Sequence, residues 1–302
     1  WAPAGVTPVT STELPALPAG DDETEDDEQD EERQEAIAAR YGEVHVRALR
    51  TDEQRFESAQ RGLFADQRRS VEAAATAAAS RSLRALPPPD EIFNPTEWLR
   101  IFTRRGRPLV AAAMTRSARG QMNAFRLPPF RSDDPDVVRW LDARVDFWAD
   151  RVNAETGRLL RQEVEEAARL GEGVSQLLER VQKVFRFSEE FRAERIARTE
   201  MTAAASKGAV ELYRQSGVVE FKRWVTTQDD RARETHMAAN GQTVALADKF
   251  EVGGDLMDGP GLGSDPAQNI QCRCASVPVV NRARRALEAP SFTATNGTHA
   301  TA

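Results

Sequence analysis

Apolar residues recur along the first half of the chain at helical steps. Leu49, Phe56 and Leu63 stand at heptad spacing, and Phe64, Val71 and an alanine-rich run follow them. This pattern predicts one long helix over about 33–86, ended by Pro87-Pro88-Pro89. Asn94-Pro95-Thr96-Glu97 reads as a second helix start, with Trp98, Leu99, Phe102, Leu109 and Val110 as its apolar face. Pro128-Pro129 breaks that stretch. Asp133 or Asp134 before Pro135 predicts an N-cap with proline at the first helical position. Val137, Val138, Leu141, Val145, Trp148 and Val152 then follow at steps of three and four, continuing through Leu160 and Val164. Gly171-Glu172-Gly173 punctuates the chain. A short amphipathic helix carries Val174, Leu177, Leu178, Val181 and Phe185, and Ser188 is placed to cap the next, which reaches Tyr213 and stops at Gly217.

The period then changes. VVEFKRWVTT is rich in β-branched and aromatic residues and reads as a strand. Beyond Thr227, Gly, Asp, Pro and Asn predict loops with short strands. The expected fold is mainly α with a small α+β module: an elongated helical region, then a compact C-terminal domain of helix and short strands. The boundaries are a disordered acidic linker at 1–32, a helical stalk at 33–169, the module at 170–282, and a disordered tail at 283–302.

Charge alters this picture at one end only. The net charge is -7, yet Asp21–Glu32 holds 10 of the 48 acidic residues and no basic one. Without it, 38 acidic residues stand against 41 basic, so the body is near neutral. Such a body argues against strong sequence-independent DNA binding, although arginine clusters at 47/50, 68/69, 104/105/107 and 116/119 leave local patches open. A hydrophobic share of 40% with a mean hydropathy of -0.56 suits an extended helical protein, and no apolar run is long enough for a membrane span. The first residues carry neither a basic nor an apolar signal region, and the chain starts with Trp1. We expect a processed product or the C-terminal part of something longer. A CxC pair makes no useful disulfide framework, which fits a reducing compartment.

Candidate chemistry is confined to the last third. His236, Cys272 and Cys274 are one of three histidines and the only two cysteines. In an extended segment, Cys272 and Cys274 point to one side. With His236 they offer three soft ligands, where a structural zinc site takes four; Asp229, Asp230 or water remain for the fourth. The alternative is a buried strand in which cysteine acts as a small hydrophobe. No cofactor is called for, with zinc left open. Asp230 is placed to cap a short helix that puts Arg233 and His236 on one face. Arg198-Thr199-Glu200 lies mid-helix, and Trp224 reads as core. A metal-assisted nuclease built on Asp229, Asp230 and His236, or a thiol nucleophile, are enzymatic readings without a specific motif behind them.

The ordered residues Arg198, Thr199, Glu200, Tyr213, Gly217, Val218, Trp224, Thr226, Asp229, Arg231, Arg233, His236, Gly241, Phe250, Pro260, Asn269, Cys272, Arg273 and Cys274 resemble the phage head morphogenesis module of the Mu F-like minor head proteins. The stretches FADQRRSVEAAA and DEIFNPTEWLRIF are similar to the segment joining a portal protein to this module in fusions. The resemblance implies a structural, non-enzymatic role in procapsid assembly and in DNA packaging or ejection. It implies an oligomeric component of the virion or procapsid interior, assembled in a bacterial cytoplasm. The partners it implies are portal, major capsid or scaffold proteins, and DNA. Within the motif it singles out Arg198, Glu200, Trp224, Asp229, Arg233 and Asn269 as structural. Many relatives carry a further Cys pair and a His-Pro completing a zinc-like set. Here Arg233 and His236 stand in the first segment and Gln271 precedes Cys272, so a four-ligand site is in doubt.

Overall fold

A computed structural model of the chain describes residues 26–81, 86–227 and 231–280. Residues 1–25 of the expected linker at 1–32, and the expected tail at 283–302, lie outside the described residues. Helix α1 (Asp26–Arg81) has 56 residues, about 84 Å at about 1.5 Å per residue, and it starts inside the acidic block. A one-turn helix α2 (Pro89–Ile92), not expected from the sequence, follows the proline run. Helix α3 (Pro95–Phe125) is capped by Asn94, whose side chain accepts from Glu97 N. Helix α4 (Pro135–Arg169) is capped by Asp134, which accepts from Asp136 N. Helix α5 (Val174–Phe187) runs without a break through a π-helical turn (Ser188–Arg192) into α6 (Ala193–Ser216), which Gly217 closes at φ 70.

Ser188 therefore does not start a helix as expected. Its hydroxyl donates to Val184 O inside a continuous one, and the wide turn sets both Ser188 and Arg192 facing inward. Arg192 donates to Thr156 Oγ1, Ser188 Oγ and Val152 O, and its guanidinium lies 5.1 Å from the Phe64 ring centroid. Burial draws its pKa down to about 10. Gln67 and Asn153, hydrogen-bonded at 2.7 Å, extend this buried polar layer between α1 and α4.

One hydrophobic core crosses position 169/170. It joins Phe56, Leu63 and Phe64 of α1, Phe102 and Met114 of α3, Leu141 and Trp148 of α4, Leu177 and Phe185 of α5, and Ala197 and Met201 of α6. Phe56 stands edge-on to Trp148 with centroids 5.3 Å apart. At the tightest point α6 runs against α3: a Cβ added to Gly208 would fall on the Met114 carbonyl oxygen. Arg144 of α4 grips Glu200 of α6 through two hydrogen bonds at 2.7 and 3.1 Å, mostly shielded from solvent.

A three-stranded antiparallel sheet of order β2-β1-β5 packs against α6 and α1: β1 (Val219–Val225), β2 (Thr243–Ala245) and β5 (Ala275–Val280). Tyr213 OH and Gln121 Nε2 both donate to Ser276 O, tying β5 to α6 and α3. A hairpin of β3 (Phe250–Val252) and β4 (Asp255–Met257) turns at Gly253-Gly254, both at positive φ. Two short helices, α7 (Glu234–Ala238) and α8 (Pro266–Asn269), lie in the connections.

His45 of α1 is buried beside Tyr41, and its Nε2 has no hydrogen-bond partner. Burial pushes its pKa down to about 4 from an ordinary 6.5. The unfolded chain therefore binds the proton first as pH falls, so stability is lost below the ordinary value and the loss saturates near the depressed one. Between pH 7 and pH 5 denaturant unfolding should show a loss of about 2 kcal/mol from this group, absent in His45→Gln.

Candidate functional site

Strand β1 brings Trp224 fully into the interior, and the site is built around it. Its ring stands perpendicular to His236, with centroids 5.7 Å apart, and edge-on to Phe250 at 5.4 Å. Trp224 Nε1 donates to Thr226 Oγ1 at 2.9 Å, and Thr226 Oγ1 donates to His236 O at 2.5 Å. Thr226 N in turn donates to Asn240 Oδ1, and the turn at Gly241 (φ 81) returns a backbone hydrogen bond to Trp224 O. One threonine hydroxyl thus joins the end of β1 to α7.

His236 sits in α7 and is 2% exposed. Arg233 is not on that helix with it, as had been expected, but in the N-cap position with extended backbone. From there its guanidinium reaches Ile270 O, which ties the start of α7 to the loop before Cys272. Asp229 and Asp230, the expected motif residue and cap, lie outside the described residues.

The segment 271–274 enters from α8 through Gln271, whose φ of 58 reverses the chain. Two threonines of α6 fix this reversal: Thr199 Oγ1 accepts from Gln271 N at 3.1 Å, and Thr202 Oγ1 donates to Cys272 O at 2.6 Å. The two cysteines then converge on His236, with Nδ1 3.3 Å from Cys274 Sγ and 3.7 Å from Cys272 Sγ. Cys272 and Cys274 are 1% and 3% exposed. The Cys274 thiol is held down to about 5, chiefly by the hydrogen bond from Cys272 and then by His236, against the effect of burial. The Cys272 thiol, which makes that hydrogen bond in the buried pair, is pushed up. Cys274 is thus the more acidic of the two thiols, and it faces the imidazole.

The donor set can be compared with the size of a metal ion. With Zn–N of about 2.0–2.1 Å and Zn–S of about 2.3 Å, a tetrahedral site has N···S edges of about 3.6 Å. The two N···S distances, 3.3 and 3.7 Å, bracket that figure, and all three donor atoms lie within 4.8 Å of one another. Among the described residues no fourth His, Cys, Asp or Glu joins them. His236 Nε2 is buried without a partner.

The other expected positions serve the same scaffold. Asn269 clasps Gly263 with two hydrogen bonds, at 2.8 and 3.0 Å. Glu200 meets Arg144, as described above. Arg198 pairs within its helix with Glu194 at 2.8 Å and also lies 3.8 Å from Glu53 of α1. Two residues were missed by sequence reasoning. Asp255 accepts from Ser264 N, Ser264 Oγ and Asp265 N. Those hydrogen bonds outweigh the effect of its burial and leave its carboxyl below the usual range. Buried Lys222 donates to Asp258 O over the face of Phe250. Neither carried a signal in the sequence, since each partner is set by the loop that closes on it.

Residues 159–277 match the family described as Phage Mu protein F like protein. This part of the chain is similar to the Mu F-like proteins. The match begins in the last third of α4 and ends in β5, so it takes in the whole His–Cys–Cys cluster and both threonines that hold it. Among curated proteins, the NAD(+)--arginine ADP-ribosyltransferase EFV of Enterococcus faecalis (strain ATCC 700802 / V583) is 31% identical over 91 residues. That covers 29% of this chain and 18% of the relative, so the chain spans under a fifth of the relative's length. No solved structure matches. No helix among the described residues is long and apolar enough to cross a membrane.

Thr226→Val keeps the shape of the side chain and removes the hydroxyl that serves both Trp224 and His236. It should destabilise the module by about 1–3 kcal/mol, measured by denaturant unfolding with tryptophan fluorescence. An unchanged midpoint would show that Thr226 does not join the two elements.

Proposed function

We propose that the chain is a minor head protein whose α1–α4 region presents the Mu F-like module near the portal, where it acts in procapsid assembly and in DNA packaging or ejection. The observation that supports this reading is the shared core. Phe56, Phe102 and Trp148 pack with Phe185 and Met201, so the module cannot move independently of the long helices that carry it. A rigid carrier of about 84 Å suits placing a small module at a fixed point in an assembly, and the portal, major capsid or scaffold proteins are the surfaces it would meet. The test is co-sedimentation of the full chain with portal-containing procapsids. Wild type should be retained and Gly208→Asp, which forces α6 off α3, should be lost; absence of wild type from purified procapsids would overturn the reading.

Within the module, the His236–Cys272–Cys274 cluster is a clamp between α7 and β5, and the ion its donors fit is zinc. Burial of His236, Cys272 and Cys274 to 3% exposure or less favours this clamp over the nuclease and thiol-nucleophile readings, which need a group that reaches substrate or solvent. The transferase activity in the relative's name belongs to that protein, and a 91-residue stretch gives no ground for extending it here. Elemental analysis of the purified chain should find about one zinc per chain, lost in both Cys272→Ser and His236→Ala. Metal-free protein with the wild-type melting midpoint would reduce the cluster to a hydrogen-bonded clamp.

A further inference from the structure

Helix α1 passes from one apolar cluster to another at His45. From Leu49 onward its inward side chains, Phe56, Leu63, Phe64 and Val71 among them, belong to the core shared by the long helices. Ala38 and Tyr41 belong instead to the cluster under the sheet, with Phe125, Leu127, Val219 and Val277. Among the described residues between Tyr41 and Leu49, only His45 is buried. An aliphatic side chain there would carry the apolar seam on without a break. An imidazole interrupts it.

The contact at His45 is also incomplete. Its Nε2 is buried without a partner, and so is Ser117 Oγ of α3. Both residues line a cavity of about 70 Å³ between α1, α3 and α6, which Ala48, Ala113, Gly120 and Ala205 are too small to fill. At about 30 Å³ per molecule it has room for roughly two waters. The charged groups on its wall are Asp52 of α1 and Arg116 of α3, which pair with each other. Tyr41 adds a hydroxyl that burial pushes up to about 12, and α6 adds only Ala205. A charged imidazole would therefore face Arg116, with the one carboxylate on the wall already engaged.

We propose that His45 is an acid-sensitive latch: protonation of its ring releases the first half of α1 from α3 and the sheet, while the half beyond Leu49 stays in the common core. Once released, the ring meets water and holds a proton at the ordinary value of 6.5, against about 4 when docked. Proton uptake thus favours the released form, increasingly as pH falls below 6.5, and the effect levels off near 4. Glu53 works the opposite way. Its carboxyl, set among Arg198, Arg273, Arg50 and Glu194, is raised by burial, so a proton taken up there favours the docked form. The boundary of release therefore lies between His45 and Glu53. Docking of the first half tolerates little displacement, because a Cβ added to Gly42 would come 2.9 Å from Val225 Cγ1 of β1.

The test is hydrogen–deuterium exchange of the full chain at pH 7 and pH 5, corrected for intrinsic exchange rates and read separately over residues 36–49 and 56–78. Protection of 36–49 should fall about 20-fold from pH 7 to pH 5, and that of 56–78 should change less than about threefold. His45→Gln, which stays neutral, should remove the fall, and Glu53→Gln should keep it. Gly42→Leu, which wedges α1 away from Val225, should leave 36–49 poorly protected at both pH values. Equal loss in the two segments, no loss in either, or the same loss in His45→Gln would overturn the proposal. So would a His45 ring that takes up its proton, followed by NMR, while 36–49 stays protected, since water in the cavity would then be satisfying the charge. If His45→Gln does not fold, the contrast between the two wild-type segments still decides.

Discussion

The structure depends on how thin α6 is. Over Met201–Tyr213 the helix is buried on nearly every side, and the positions that face its neighbours are largely Ala203, Ala204, Ala205, Gly208 and Ala209. A helix enclosed all round has no solvent face to absorb bulk. Small side chains let α3 approach to the backbone at Gly208, while α1 packs on another side and the loops of the module lie on a third. The polar residues on this helix mark where those loops attach: Thr199 and Thr202 hold 271–272, Tyr213 holds Ser276, and Glu200 holds α4. A larger residue at Gly208 would move α3, and the long helices would then lose their common core.

This arrangement explains which parts of the fold were legible in the sequence. Local rules carried the helices. The heptad from Leu49 to Leu63, the caps at Asn94 and Asp134 and the stop at Gly217 each depend on residues within a turn or two of one another. The strand at Val219–Val225 was legible because β-branched and aromatic residues replaced a helical period. The π turn was not. Ser188 looks like a cap by local rules, but its surroundings are Thr156 and Arg192, brought in by α4 and by the wide turn itself. The partner of Glu200 was equally hidden, 56 residues away on α4.

At the site, the convergence of Cys272 and Cys274 on one side followed from strand geometry, and their meeting with His236 was a reasonable guess from rarity. What the sequence could not show is the service each motif residue performs. Arg233 was read as a partner of His236 on a helix face. In the fold it stops at the helix entrance and reaches the backbone at Ile270, because α7 begins only at Glu234. The order of the motif is recoverable from one dimension; the roles come from the loops, and loop closures are non-local.

The chemistry of the cluster then follows from its seclusion. A thiolate facing an imidazole would be reactive at a surface. Here Cys274 and His236 lie under Trp224 and Phe250, with Thr226 and Thr202 occupying the nearby backbone groups. In such surroundings the acidity of Cys274 is set by what touches it: the Cys272 thiol, the His236 ring and the Thr226 side chain. A group so placed gains more from holding two segments together than from meeting a substrate. The module keeps its most reactive side chains where their interaction energy fixes α7 against the start of β5. That is the arrangement expected of a part whose work is to hold its shape on a long helical carrier.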